Sequence, residues 1–185
     1  YRLAAAGVRV PQPFQCFEGV LLMELVTDAA GNAAPRLNDV ELDEATALEF
    51  HALLLDQVVL MLCAGVIHGD LSEFNILVGA EGPVIIDLPQ AVDAAGNSAA
   101  AAMIERDVTN LAVFFGQFAP QLLASQYGKE IWGLFEAGLL APGAKLTGRV
   151  APEARPADPG AVLRELALAR KEEREAAALR REEAA

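Results

Sequence analysis

The apolar positions of the chain change their spacing from one segment to the next, and each spacing predicts an element. The runs FQCF and VLLMELV, separated by Glu18 and Gly19, are typical of two strands joined by a tight turn. After Asp43, a residue type that often caps helices, apolar residues recur at steps of three and four, namely at Leu48, Ala52, Leu55, Val59 and Leu62. We therefore expect a hairpin, a Gly- and Pro-containing loop, and a long amphipathic helix that ends near Gly65.

The pattern then predicts a second hairpin and further helices. The string IHGDLSEFNILV is followed by the turn signal GAEGP and by the apolar run VII, which leads into Asp87. This order is typical of a loop, a strand, a turn and a strand. One helix is expected from a cap at Ser98 to Phe118, and another from Ser125 to Leu140.

The end of the chain has a different composition. Residues 142–160 are rich in Pro and Gly and predict a connector, whereas residues 161–185 carry Ala, Glu and Arg at helical spacing. Together with the strands at the start, the pattern divides the chain into four parts, which are 1–26, 27–141, 142–160 and 161–185.

Composition restricts this picture to one compact domain. A chain of 185 residues with 54% hydrophobic content can bury one core but not comfortably two. Cys16 and Cys63 lie inside apolar runs without metal-binding spacing, so we expect buried, reduced thiols and a cytosolic location. The most apolar stretch, residues 52–67, is interrupted by Asp56 and Gln57, which indicates a core helix and no membrane contact.

Charge argues against nucleic acid as a partner. The net charge is −12, and residues 161–185 carry equal numbers of basic and acidic side chains, so the excess of acid lies in residues 1–160. Binding a phosphate backbone requires a field of Lys and Arg that these residues do not have. An acidic site of this kind needs a cation before it can bind a triphosphate.

The candidate chemistry is concentrated around the second hairpin. Asn75 precedes its first strand and Asp87 follows its second, so antiparallel pairing brings both to the open end of the hairpin, roughly 5 Å apart in backbone terms. Oxygen atoms of these two types suit Mg²⁺, which takes one or two protein ligands while phosphates and water supply the rest. Asp70, on the preceding loop, could accept a hydrogen bond from a hydroxyl nucleophile and orient it for phosphoryl transfer.

The strings HGDLSEFNIL, IIDLPQAV and RDVTNLAVFF resemble the catalytic loop, the metal loop and the following helix of the RIO family of atypical protein kinases. The similarity extends over roughly Gly7 to Phe118. It implies an α+β fold, a mostly helical, protein-kinase-like C-terminal lobe with a catalytic β-hairpin, preceded by the last strands and hinge of an N-terminal lobe. It also implies a serine/threonine kinase that uses ATP and Mg²⁺ or Mn²⁺ and acts on a protein substrate. An ATPase is the allied possibility.

The resemblance assigns a role to individual residues. Asp70 is expected to be the catalytic aspartate, and Asn75 and Asp87 the metal ligands. In the hinge MELV, the carbonyl of Glu24 and the amide of Val26 are expected to bind the adenine. Ser72 stands where conventional protein kinases carry a lysine, which is a feature shared with RIO kinases.

Three nearby residues are expected to have structural roles. His68 more often stabilises a loop as a hydrogen-bond donor than acts as a base. Arg106 and Asp107 are expected to form a buried pair in which Asp107 accepts backbone amides of the catalytic loop.

The sequence leaves alternatives open, because no Gly-rich loop, strand lysine or partner glutamate precedes the hinge. We expect the chain to be a fragment with most of the N-terminal lobe missing, so that residues 1–185 alone bind ATP weakly and have negligible turnover. The short distance between Asp87 and Asp107 leaves no room for a long activation segment. A small-molecule phosphotransferase of the aminoglycoside or choline kinase kind and a noncatalytic pseudokinase module are the two alternatives.

Overall fold

The computed structural model describes residues 1–150, in which helices pack around small two-stranded sheets. The helices are α1 (Arg2–Ala5), α2 (Glu44–Cys63), α3 (Ala100–Phe115) and α4 (Tyr127–Glu136), and the strands are β1 (Pro13–Phe17), β2 (Val20–Met23), β3 (Val66–Ile67), β4 (Ile76–Gly79), β5 (Gly82–Ile85) and β6 (Val92–Asp93). Within this part of the chain the pairs are β1–β2, β3–β6 and β4–β5, all antiparallel. The predicted α+β class is confirmed, and the helices contain more residues than the strands.

The first hairpin closes through the two residues between its predicted strands. Phe17 pairs with Val20, so Glu18 and Gly19 form the turn, and both have positive φ (48° and 81°). Two-residue hairpin turns need positive φ at both positions to match the twist of the strands, and Gly adopts it without strain. All four side chains of β2 and most of those of β1 are exposed, so neither face of this hairpin belongs to the core.

Helix α2 is the centre of the domain. It begins at the predicted cap, where the Asp43 carboxylate accepts a hydrogen bond from the Thr46 amide at 2.7 Å. It lies next to α3, α4, β3 and β5, which explains why it is buried on more than one face. By length and hydropathy alone this helix could cross a membrane, but half of its apolar stretch is buried in this domain, as a core helix would be.

The core is formed between α2, α3, α4 and the strands that follow α2. Its largest fully buried side chains include Leu54, Met61, Ile67, Ile76, Ile85, Leu111, Phe115 and Ile131. Burial of this apolar surface fixes the second hairpin, β4–β5, against α2, because each strand contributes a buried isoleucine. The core therefore sets the position of the loops at both ends of that hairpin.

Several predictions about local structure are wrong. Cys16 and Cys63 are exposed and not buried, Cys16 because no other element of residues 1–150 covers its part of the β1–β2 hairpin and Cys63 because it ends α2. Ala52 is also exposed, whereas Leu55, Val59 and Leu62 are buried as predicted.

The predicted limits of the last two helices are wrong as well. Helix α3 has its cap at Ala99, whose amide donates to Asn97 Oδ1 at 2.9 Å, so Ser98 is not the cap. Helix α4 ends at Glu136 because Gly138 has φ of 67° and the Leu139 amide donates to the Leu134 carbonyl at 2.8 Å. This arrangement is a Schellman motif, which terminates a helix.

The first part of the predicted connector packs on α4. The Glu130 carboxylate accepts hydrogen bonds from the amides of Thr147 and Gly148 at 2.9 and 2.7 Å and from the Thr147 hydroxyl at 2.9 Å. The rest of the connector and the predicted charged helix over 161–185 lie outside the described residues.

Candidate functional site

The loop of residues 68–75, which runs from β3 to β4, is fixed first by a buried histidine. His68 Nδ1 lies 3.3 Å from the Asp70 amide, and its Nε2 lies 3.0 Å from the Ile86 carbonyl. An amide can only donate, so Nδ1 is the acceptor and Nε2 carries the proton that is donated to Ile86. His68 therefore ties this loop to the residue before Asp87, in the loop-stabilising role predicted for it.

Helix α3 holds the same loop from the other side. The buried Asp107 carboxylate accepts the amides of Gly69 at 2.8 Å and Leu71 at 3.2 Å. Asn110, one turn further along, donates its side-chain amide to the Leu71 carbonyl at 3.0 Å. Burial raises the pKa of Asp107, while the hydrogen bonds from the Gly69 and Leu71 amides and the positive charge of Arg106 act in the opposite direction. Both carboxylate oxygens accept hydrogen bonds, which suits the ionised form.

The Arg106–Asp107 interpretation is only half right. Asp107 has the predicted contacts with backbone amides, but the Arg106 side chain is 54% exposed and its guanidinium is 3.9 Å from the carboxylate. Arg106 instead donates a hydrogen bond to the Gly69 carbonyl. The residue therefore contacts the loop directly instead of serving as a buried partner of Asp107.

Gly69 could not be replaced by a larger residue without moving the backbone. Its φ is 81°, and a Cβ atom placed there would lie 2.9 Å from the Gln90 carbonyl oxygen. Such a contact is shorter than van der Waals distance and involves backbone, which cannot rotate away. The 68–75 loop thus lies directly against the segment that follows Asp87.

These contacts leave the Asp70 carboxylate available. Asp70 is exposed, and in the described part of the chain only its backbone groups, not its carboxylate, make hydrogen bonds. Its amide is held by His68 and its carbonyl by the Asn75 side chain, so the position of its Cα is fixed while the side chain faces solvent. A carboxylate presented in this way can accept a hydrogen bond from an incoming hydroxyl group.

Asn75 and Asp87 lie at the same end of the β4–β5 hairpin, as predicted. Ile76 pairs with Ile85, and one step further the Ile86 amide donates to the Asn75 carbonyl at 2.9 Å. The Asn75 side-chain nitrogen donates to the Asp70 carbonyl at 2.8 Å, and its Oδ1, which makes no hydrogen bond among residues 1–150, can act as a ligand. Asp87 is exposed and has φ of 63°.

The left-handed backbone of Asp87 is itself informative. Non-glycine residues seldom adopt positive φ, although Asp tolerates it better than most, and strained backbone of this kind costs on the order of 1–3 kcal/mol. Here it turns the chain out of the β5 direction immediately after the hairpin.

The side chains of Asn75 and Asp87 together offer one amide oxygen and one carboxylate. Such a pair fits a hard divalent cation that also binds phosphate and water.

One cavity connects the hairpin end with the predicted hinge. It has a volume of about 490 Å³ and is lined by Pro11, Met23, Glu24, Leu25, Val26, Ala33, Ala34, Arg36, Asn75, Leu77, Ile86 and Asp87. Four of the five predicted site residues, all but Asp70, are in this set. We call this space the hinge cavity.

The hinge itself has the backbone groups that the prediction requires. The Val26 carbonyl accepts the Ala34 amide at 2.9 Å, and the Glu24 amide donates to the Gln12 carbonyl at 2.9 Å. Within residues 1–150, the Glu24 carbonyl and the Val26 amide make no hydrogen bond. The Glu24 carboxylate accepts the Gln12 amide at 3.0 Å, so this side chain fixes the hinge to the preceding segment.

Three residues with clear structural roles near the site were not predicted. Asn110 could have been found, because it lies one helical turn after Asp107 and so shares its face. Gln57 is buried and accepts the Arg9 amide at 2.8 Å, and the Arg9 carbonyl in turn accepts the Ile85 amide at 2.8 Å. Arg36 lines the hinge cavity although no local pattern marks it, since its position depends on pairing with Leu77.

Comparison with known proteins gives a consistent result. A family model described as the RIO domain matches residues 1–127. The RIO-type serine/threonine-protein kinase Rio1 of Thermoplasma acidophilum is 36% identical over 113 residues, which are 61% of this chain and 57% of that protein. Rio1 of Haloferax volcanii is 38% identical over 115 residues, 62% of this chain and 38% of the relative. Human RIO1 is 32% identical over 115 residues, 62% of this chain and 20% of that protein. This chain therefore spans between a fifth and three fifths of the length of these relatives.

Proposed function

Because the chain belongs to the RIO domain family, we propose that it supplies the catalytic lobe of an ATP-dependent kinase that phosphorylates serine or threonine in proteins. The observation that carries this proposal is the hinge cavity, in which the hinge residues Glu24 and Val26 and the oxygen ligands Asn75 and Asp87 line one space. Asn75, which lines that space, is hydrogen-bonded to the Asp70 carbonyl, and the Asp70 carboxylate is exposed and makes no hydrogen bond among the described residues. The names of the relatives support the same reaction.

In the proposed reaction Asp70 orients the nucleophile. Its carboxylate accepts the hydrogen bond of a serine or threonine hydroxyl, which directs the oxygen toward the γ-phosphorus of ATP. His68, Asp107 and Asn110 keep the loop in place through the hydrogen bonds described above, so that little reorganisation is needed when the substrate binds. These three residues are positioning residues and touch neither substrate nor nucleotide.

Asn75 and Asp87 are proposed to hold the divalent cation through Asn75 Oδ1 and the Asp87 carboxylate. When bound there, Mg²⁺ or Mn²⁺ would neutralise the β- and γ-phosphates and the charge that develops during transfer. The Asn75 side-chain nitrogen is already engaged by the Asp70 carbonyl, so the orientation of its oxygen is set before any ligand arrives. The same bond couples the nucleophile loop to the metal ligand.

The hinge is proposed to recognise adenine. A carbonyl at Glu24 and an amide at Val26 present one acceptor and one donor, which match the exocyclic amine and ring nitrogen of adenine. Leu77 and Ile86, which line the same cavity, offer apolar contact for a planar base.

The acidic domain disfavours nucleic acid as the phosphate acceptor, so a protein substrate is proposed. The cytosolic location stays a prediction.

The test of this function joins the chain, at Tyr1, to a Gly-rich loop and lysine strand from a RIO-type relative, and measures phosphate transfer from labelled ATP to protein. Asp70→Asn should lower the rate by about a hundredfold or more while ADP affinity stays close to that of the unaltered protein, because Asp70 acts on the chemical step. Glu73→Gln, on the same loop, is the matched control and should retain activity. Equal rates for the Asp70 variant and the unaltered protein would remove Asp70 from the mechanism. ATP binding without any transfer would favour a noncatalytic module.

A further inference from the structure

Arg36 occupies the wall of the hinge cavity between its two functional ends. At one end, the Ala34 amide donates to the Val26 carbonyl of the hinge at 2.9 Å. At the other end, Arg36 forms an antiparallel bridge with Leu77, two residues after the metal-ligand candidate Asn75, and the Val78 amide donates to the Pro35 carbonyl at 2.8 Å. The segment 34–36 therefore runs from the hinge to the start of β4.

The side chain of Arg36 belongs to the cavity because of this pairing. Residues that face each other in an antiparallel bridge place their side chains on the same face. Leu77 and Arg36 both line the hinge cavity, and Arg36 is exposed, so a guanidinium on this face can reach a ligand that occupies the cavity. The position is set by long-range pairing and not by sequence spacing.

Arg36 is also the one basic residue that lines this cavity. Its other charged lining residues are Glu24 and Asp87, and the Glu24 carboxylate is already engaged by the Gln12 amide. Among residues 1–150, Arg36 lies within ion-pair distance of no carboxylate. In a domain with a large excess of acid, an arginine without an acidic neighbour attracts an anionic ligand.

We propose that Arg36 binds the α-phosphate of the nucleotide. This inference rests on the proposed function, in which adenine occupies the hinge end and the β- and γ-phosphates occupy the Asn75–Asp87 end. The ribose and α-phosphate then lie along the wall where Arg36 is found. Of these two groups, the phosphate forms the stronger, charge-assisted hydrogen bonds with a guanidinium.

The role separates Arg36 from the metal ligands. Asn75 and Asp87 act on the β- and γ-phosphates through a cation, whereas Arg36 would contact a phosphate oxygen directly and without metal. Arg36 would thus supply, from the catalytic lobe, part of the positive charge that this acidic domain otherwise lacks for binding a polyphosphate. Its effect should therefore be present with AMP, which has no β- or γ-phosphate, and in the absence of divalent cations.

The test measures the affinities of adenosine, AMP and ADP for residues 1–185 without metal, by NMR titration, which reaches millimolar dissociation constants. Arg36→Gln should weaken AMP and ADP binding about tenfold and leave adenosine binding within about twofold, because only the phosphate contact is lost. Arg36→Lys should fall between, since it keeps the charge without the guanidinium fork. Arg149→Gln, which makes the same charge change away from the cavity, is the matched control.

The outcomes separate this inference from the function on which it rests. Equal losses for adenosine and AMP would overturn it in favour of a ribose or base contact, and unchanged AMP affinity in Arg36→Gln would overturn it entirely. If Asp87→Asn abolishes the effect of Mg²⁺ on ADP binding while Arg36→Gln has no effect, the proposed function stands and the Arg36 assignment falls. If the unaltered chain binds none of the three ligands, the Arg36 inference is overturned, whereas the proposed function is decided by phosphate transfer in the extended protein.

Discussion

Asp87 combines a left-handed backbone with a carboxylate that makes no hydrogen bond in the described part of the chain. Asp87→Asn keeps the size and the tolerance of positive φ but removes the charge. We expect ADP or ATP binding to lose most of its enhancement by Mg²⁺ or Mn²⁺, because one of the two proposed protein ligands becomes neutral. Calorimetric titration with and without metal measures this, and Asp56→Asn on the exposed side of α2 is the control. Equal metal enhancement in all three proteins would contradict the metal assignment.

His51 is a residue of a different kind, because it is buried in the core and has no role in the proposed site. It packs against the rings of Phe115 and Tyr127 at 5.7 and 5.5 Å, and its Nε2 has no hydrogen-bond partner among the described residues. Burial lowers the pKa of His51 from 6.5 to about 4. The folded state therefore keeps this ring neutral at pH values where the unfolded chain binds a proton.

The consequence is a dependence of stability on pH. Since the pKa of His51 is lower in the folded state, its stabilising contribution is complete above about pH 6.5 and is lost as the pH falls toward 4, to a total of roughly 3 kcal/mol. His51→Leu should lose this part of the acid sensitivity. Urea unfolding at pH 7.5 and pH 5 measures the difference, and the same pH dependence in the variant and the unaltered protein would show that His51 is not its source.

At the scale of elements, α3 acts as a support for the 68–75 loop through Asp107 and Asn110. Asp107→Asn replaces an acceptor of two backbone amides with a group that has one acceptor and an NH₂, so one amide loses its partner. We expect a loss of roughly 1–3 kcal/mol in the free energy of unfolding. The amides of Gly69 and Leu71 should also exchange with deuterium faster, because they lose protection locally.

The control for this variant lies on the same helix. Thr109→Ala changes an exposed neighbour of Asp107 and should leave both the unfolding free energy and the exchange of the Gly69 and Leu71 amides unchanged. If Asp107→Asn alters global stability but not the exchange of those two amides, the carboxylate is a general core contact and not a support of the loop.

The elements that could be predicted are those that local sequence determines. The Glu18–Gly19 turn, the Asp43 cap and the β4–β5 hairpin depend on residues within a few positions of one another, and all three were found. The end of α4 was missed although Gly138 provides a local signal, because the apolar residues that follow it continue the helical spacing.

The burial of individual side chains was harder to predict, because it depends on which elements pack against each other. Cys16 lies in an apolar run, yet it is exposed because β1 and β2 have no neighbouring layer in the described part of the chain.

The candidate site likewise has parts that depend on local sequence and parts that depend on long-range pairing. The convergence of Asn75 and Asp87 followed from hairpin geometry, whereas the position of Arg36 arises from a bridge between residues 41 positions apart and left no trace in the spacing. The Asp70, Asn75, Asp87, Glu24 and Val26 roles stay predictions.

At the scale of the whole molecule, the side chains of the β1–β2 hairpin are much more exposed than those of the core. Phe14, Phe17, Val20, Leu22 and Leu25 are each 59% exposed or more, whereas α2 and α3 bury most of their large apolar residues, with Val113 of α3 as an exception. A two-stranded hairpin is marginal in water unless further strands or a helix cover it. The predicted hinge follows this hairpin directly, so the geometry of the cavity end proposed for adenine depends on how well the hairpin is held.

The last prediction follows from that dependence and from the motifs in the chain. Residues 1–185 contain no Gly-rich loop or strand lysine before the hinge, and in kinase-like enzymes these groups cover the α- and β-phosphates. Without them the triphosphate is exposed to water and its in-line geometry is poorly fixed. We therefore expect residues 1–185 alone to bind ATP in the millimolar range with negligible hydrolysis, and the same chain preceded by the loop and strand of a RIO-type relative to bind more tightly and turn over.

Two measurements decide this prediction. ATP hydrolysis and phosphoserine formation are compared for the short and extended proteins with Mg²⁺ present, and hydrogen exchange of the β1–β2 amides reports whether the added strands hold the hairpin. The extended protein carrying Asp70→Asn is the control, since it keeps the added strands and should lose turnover only. Robust turnover by residues 1–185 would show that this lobe is sufficient by itself. Slower exchange of the hairpin without any gain in activity would mean that the added strands complete the fold but not an enzyme, and would favour the noncatalytic module.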